Sequence, residues 1–208
     1  MMSARISTLA VGVLTMIAPV LAHAQLVSTG AAAAGGRDTR WDVSTNGGST
    51  WEQAYLVTAI PEQWTNGAPG GTWISSSPRG TGGGGAYRVR SLFTLALGDV
   101  FTFRFRCAAD DGPVAFFING AAQQGNPCPN TWSWGAMTSV DASNFRDGQN
   151  SIEFAFAGNN FTDGIAVEIA NATLTPGNPS VVPEPATLAL FASGLFGLGV
   201  VARRRRRA

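Results

Sequence analysis

The side chains in this chain that could do chemistry are almost all carboxylates. Among 208 residues there is one histidine, His23, two cysteines, Cys107 and Cys128, and no lysine; all fourteen cations are arginines. Beyond position 23 no imidazole remains, which removes Ser-His-Asp and Cys-His nucleophiles and any histidine-bearing zinc site. Hydrolysis would have to run on two carboxyl groups, as in glycosidases, where they stand about 5–5.5 Å or 6.5–9.5 Å apart across the sugar. Glu153 and Glu168 are the pair carried on well-patterned strands, and if those strands are neighbours both would project from one outer face. Solvated face residues are the alternative reading, and it leaves no catalytic residue. Asp110 and Asp111, before Gly112-Pro113, are adjacent carboxylates between two strands. Calcium takes six to eight oxygens and could use them; turn-forming aspartates bonded to local amides are the other reading. No other cofactor is expected.

Six tryptophans are the most conspicuous excess. An exposed indole can cover the C–H face of a pyranose while flanking amides bind its hydroxyls. The segment "CPNTWSWGAM" offers Asn130 beside Trp132 and Trp134, which share a face if the segment is extended. These three are the candidate ligand-binding residues, for a polysaccharide partner; packing between sheets is the competing role for every tryptophan. Cys107 and Cys128 are expected to form a disulfide, as the only two cysteines of an exported chain. Closing a loop of that length contributes about 3 kcal/mol by chain entropy.

The elements that must position these residues read as strands. In "VFTFRFRC" the residues Phe101, Phe103, Phe105 and Cys107 alternate with polar ones, the period of two of a half-buried strand. "SIEFAFA" and "GIAVEIANATL" repeat the pattern, with Glu153 and Glu168 outward. "VAFFING" enters an Asn119-Gly120 turn, and "AYRVRSLFTL" and "WEQAYLVT" read as strands too. No helical period runs beyond two turns. Some eight short strands at this spacing predict an all-β sandwich. An alanine-aspartate step (Ala109-Asp110), a strand ending in Asn119-Gly120 and a Gly148-Gln149-Asn150 turn before a late strand resemble the galactose-binding-like jelly-roll modules over Trp41 to Leu174. Cys107 departs from that pattern, where a large apolar residue is usual.

The two ends read as addresses. Arg5, the apolar run Ile6–Leu21 and Ala22-His23-Ala24 have the layout of a signal peptide over 1–24, cleaved before Gln25, so that His23 leaves with it. At the other end, residues 186–202 are uncharged and are followed by five arginines, 203–207. Seventeen residues rise about 26 Å as a helix, just enough to span a bilayer core of about 30 Å if the arginines snorkel on the cytoplasmic side. Val182, Pro183, Glu184, Pro185, Ala186 and Thr187, with Leu188, resemble the PEP-CTERM sorting signal of Gram-negative bacteria. Tails of this kind are also labelled an ice-binding protein C-terminus, but Thr-x-Thr ladders are missing here. The resemblance implies exosortase as a partner, a transient membrane anchor through the C-terminal helix, then a cell-surface or extracellular-matrix location among exopolysaccharide and biofilm.

The expected layout is therefore a flexible lead-in at 25–36, a sandwich domain at 37–175, a linker at 176–182 and the sorting signal at 183–208. Residues 25–180 carry eight arginines against twelve acids, a net charge of −4. Such a surface lacks the clustered cations that phosphate contacts need, so nucleic acid is not a partner. The expected function is a non-catalytic surface protein with weak carbohydrate binding. The alternatives are a carboxylate-dependent glycoside hydrolase or lyase, and a structural spacer.

Overall fold

Alternation of large apolar and polar side chains puts phenylalanine after phenylalanine on one side of a strand, and the tertiary structure follows from burying that side. The computed structural model describes residues 26–64, 72–81, 84–110, 112–128, 132–159 and 161–177. These form ten strands: β1 (Arg37–Ser44), β2 (Glu52–Leu56), β3 (Ile74–Ser75), β4 (Ala86–Leu95), β5 (Val100–Asp110), β6 (Ala115–Ile118), β7 (Ala121–Ala122), β8 (Thr138–Val140), β9 (Gly148–Ala157) and β10 (Gly164–Thr175). A single turn of 3-10 helix, Ala142–Asn144, precedes β9. The signal-peptide, sorting-motif and membrane-helix expectations fall outside the described residues.

The strands hydrogen-bond in the order β7-β6-β9-β4-β1-β2-β3-β10-β5-β8, each named pair antiparallel. The sheet curls over so that β6, β9 and β4 face β5 and its neighbours across a shared core, a jelly-roll β-sandwich. Ring contacts mark the seam: Phe105 of β5 lies 4.7 Å from Phe116 of β6 and 5.5 Å from Phe154 of β9. Phe93 of β4 meets Phe101 of β5 at 5.2 Å. Such offset and edge-on pairs add to the area they bury. β2, β4, β5, β6, β9 and β10 were legible in the sequence; β1, whose burial does not alternate strictly, was not read as a strand, and β3, β7 and β8 are two or three residues long and carry no period to read.

A second apolar cluster sits on the opposite, outer face of β5 and β10. Phe105 and Cys107 point into the sandwich, so Ala108 points out, as does Ala166 of β10. Trp64 and Trp73 cover these two alanines together with Val57, and Ile60 and Trp134 pack on the margin. Small residues are what let the indoles approach. A Cβ at Gly164 would stand 2.9 Å from the Trp64 ring and 3.1 Å from the Ile74 carbonyl oxygen.

The lead-in expected at 25–36 is in fact bound into the fold from residue 26. Leu26 is buried in the main core. Thr29 donates its hydroxyl to the Thr72 carbonyl at 2.6 Å, while its Oγ1 accepts the Val167 amide at 3.1 Å. Ser28 Oγ accepts the Ile169 amide. The buried Asp38 carboxylate accepts the amides of Gly30, Ala31 and Arg40. A run of small residues without periodicity reads as loose, but these bonds are made by backbone and short polar side chains, which leave no pattern. At the far end the domain extends to Gly177, whose amide donates to Asp99 Oδ1 at 2.9 Å.

Candidate functional site

Where the sandwich opens at one side, the β6–β7 hairpin of one layer and β8 of the other form two walls of a cleft of about 250 Å³. The hairpin exists because Asn119 (φ 51°) and Gly120 (φ 79°) take the left-handed conformation that a two-residue turn of this kind requires. Asn119 is fixed there: it accepts the Ser151 amide at 2.9 Å and donates to Asn150 Oδ1 at 2.9 Å. Gln123 extends the hairpin through its amide, donated to the Phe116 carbonyl. The chain then runs through Gln124, Gly125, Asn126 and Pro127 to Cys128, which is disulfide-bonded to Cys107 on β5. Asn126 Oδ1 accepts the Val114 amide at 3.3 Å.

Thr138 and Ser139 on β8 and Asn144 on the 3-10 turn make the opposing wall, with Phe116, Ile118 and Val140 as an apolar floor. Among these lining residues none is charged. Carboxamides both donate and accept, and hydroxyls do the same, so the walls suit a neutral polyhydroxyl ligand whose C–H faces rest on the floor. Among the described residues that line the cleft there is no carboxylate, imidazole or thiol to act as a general acid or base. Sequence reasoning missed this site: glutamine and asparagine in a glycine-rich loop look like any turn until β8 is seen across from them.

The tryptophans expected to form a ligand platform are placed differently. Trp132 is exposed, and its indole N–H donates to Asp110 Oδ1 at 2.7 Å. Trp64 donates to Asp110 Oδ2, also at 2.7 Å, so this buried carboxylate is gripped by two indoles. Trp134 packs against the outer cluster with the Arg106 guanidinium 5.1 Å from its ring. The two indoles therefore turn to different partners. Asn130 and Asp111 lie outside the described residues. Asp110 is the last residue of β5 and not a loop aspartate, and among the described residues no group of three His, Cys, Asp or Glu side chains comes together.

Glu153 and Glu168 do not come together. Their strands β9 and β10 are not neighbours, being separated in the sheet by β4, β1, β2 and β3, and they lie in opposed layers. Each carboxylate is engaged by an arginine on the adjacent strand, Glu153 by Arg88 and Glu168 by Arg106 at 2.6 Å. The pairing on one face weighed from sequence fails because β10 runs beside β5 instead of β9. The same device recurs across the surface. Arg37, Arg88, Arg90 and Arg106 each pair with an acid and also lie over an aromatic ring, Tyr55, Phe117, Trp51 and Trp134 respectively. Guanidinium does both at once, since its plane stacks while its edge bonds; an ammonium has neither the flat face nor the fork and does the two together less well. Replacing Arg90 by lysine is therefore expected to cost about 0.5–1 kcal/mol in urea unfolding, although the charge is kept.

One carboxylate stands apart. Asp163, fully buried, accepts the Asn159 amide through Oδ1 at 2.9 Å, while Oδ2 finds no hydrogen-bond donor among the described residues. Burial raises its pKa above the ordinary 3.8, the Asn159 amide works against this, and the Asp110 charge adds to it. The folded domain thus holds this proton more tightly than the unfolded chain does. The stabilisation it brings is complete below the unfolded pKa and is lost as pH rises through the folded one. Asp163→Asn should make the domain more stable at neutral pH and remove that part of the acid-side slope, as read from thermal unfolding between pH 3 and pH 7.

Residues 181–207 match the PEP-CTERM protein-sorting motif. No curated protein matches the chain. Among solved structures, the chain is similar to CBM35 from Paenibacillus barcinonensis, at 16% identity and a TM-score of 0.35 over 67% of this chain and 94% of that one. It is similar to TmCBM61 in complex with beta-1,4-galactotriose, at 15% identity and a TM-score of 0.35 over 66% and 89%. A third similar structure is CBM35 from Cellvibrio japonicus Abf62, at 17% identity and a TM-score of 0.32 over 59% and 90%.

Proposed function

We propose that this chain, which carries a PEP-CTERM protein-sorting motif, is an exported surface protein whose sandwich domain binds a neutral polysaccharide without cleaving it. The observation that carries the reading is the uncharged cleft, with carboxamides and hydroxyls on its walls and an apolar floor. The sorting motif supports handling by exosortase, with residues 186–202 held in the membrane before processing. Delivery to an exopolysaccharide-rich matrix would then put the cleft among its ligands. Separation of Glu153 from Glu168 supports a binding role over the hydrolase alternative.

The test is glycan-array and calorimetric binding by the full chain in detergent. Neutral glycans should bind, and Gln124→Ala combined with Asn126→Ala should weaken binding about tenfold or more, since each lost amide contact contributes about 1 kcal/mol. Trp132→Ala tests the exposed indole as a second contact. Binding that survives the double change at the cleft refutes the assigned site, and a chain that binds no glycan is a spacer. Hydrolysis of a bound polysaccharide, lost in Glu153→Gln or Glu168→Gln, refutes the non-catalytic reading.

A further inference from the structure

Large apolar side chains are exposed at six described positions, and three of them lie at the same end of the β5–β10 ladder, on both of its faces: Leu97 (73% exposed), Val100 (49%) and Leu174 (38%). Val100 pairs with Thr175 and Phe101 with Leu174 at the terminus of the β5–β10 ladder, and Leu97 lies in the turn that leads into β5. This turn is held rigidly. Asp99 accepts the Ala96 amide at 2.8 Å and the Gly177 amide at 2.9 Å, and Asp147 accepts the Gly98 amide at 2.9 Å. Gly177 packs so closely that a Cβ there would stand 2.3 Å from the Leu97 carbonyl oxygen. The chain therefore leaves the domain beside the apolar tip, at a fixed point.

We propose that this end is a membrane-contacting foot: Leu97, Val100 and Leu174 rest in the headgroup region of the bilayer that holds residues 186–202. The inference relies on the anchoring reading above. Its support is the short tether. Only residues 178–185 separate Gly177 from the uncharged stretch, three of them prolines, a reach of about 30 Å at full extension. The β5 strand from Val100 to Asp110 is itself about 33 Å long. A domain on so short a leash cannot turn its Asp110 end to the bilayer without drawing the tether back along its whole length. Leucine and valine at an interface gain by leaving water, weakly for each side chain but effectively when the anchor already supplies proximity.

The test uses the full chain reconstituted in phosphatidylcholine vesicles, with an environment-sensitive probe at Leu97→Cys or, separately, at Phe161→Cys near the Asp110 end. Nitroxide lipids labelled near the headgroup should quench the probe at position 97 several-fold more strongly than the one at 161. Equal quenching at both positions, or none at 97 in protein that floats with the vesicles, overturns the foot while leaving the anchor intact. Protein that fails to float overturns the anchoring reading, and the foot with it. A wild-type disulfide and unchanged unfolding midpoint for both labelled chains show that the probes report on a folded domain.

Discussion

Truncating Trp64 to alanine should destabilise the domain by about 3–5 kcal/mol in denaturant unfolding, the range for removing a large buried aromatic. Three losses coincide there. The ring lies on the shelf made by Ala108, Gly164 and Ala166, and its removal opens a cavity over a surface too small-sided to close it. Trp73, its ring tilted by 30° with the centroid 4.1 Å away, loses its partner. Asp110, buried at the end of β5, loses one of its two indole donors. Trp64→Phe separates the terms: it keeps most of the packing and removes only the bond to Asp110, and should cost about 1–3 kcal/mol. If both variants lose the same amount, the hydrogen bond and not the packing dominates.

The second large effect is expected at the disulfide. Cys107 and Cys128 are 21 residues apart, and both are buried. Replacing both by serine frees a loop of that length in the unfolded chain and should lower stability by about 3 kcal/mol. Functional loss should exceed what stability alone explains. Gln124, Gly125, Asn126 and Pro127 form one wall of the cleft and hang on Cys128, whereas Thr138 and Ser139 opposite are paired to β5. Unfastened, only one wall moves. The prediction is a folded double-serine variant at low temperature, with native far-ultraviolet circular dichroism and glycan affinity reduced at least as much as in the Gln124/Asn126 double change.

How much of this was legible depends on what leaves a trace in sequence. Alternation in "VFTFRFRC" and "SIEFAFA" announces buried strands, because a period of two is the signature of burying one side of a sheet. The Asn119-Gly120 turn is legible for the same reason: few residue pairs tolerate that backbone. Which strands are neighbours is not local information, so Glu153 and Glu168 could not be assigned to opposed layers in advance. The cleft was hidden because its polar wall is unpatterned and its other wall, β8, has three residues. Trp132 and Trp134 look equivalent two positions apart, yet Asp110 claims the first and Arg106 covers the second. Cys107 continues the inward alternation of β5, and its being one of only two cysteines was the visible sign that the loop before Cys128 is held to the core.

Under the proposed reading of the chain as an exported protein, the bonds from Ser28 and Thr29 to Ile169 and Val167 would set an order of events during secretion. The earliest part of the domain to cross a membrane is stitched to its very last strand. A chain threading out amino end first can therefore build partial hairpins but cannot finish its fold until residues near 170 have also emerged.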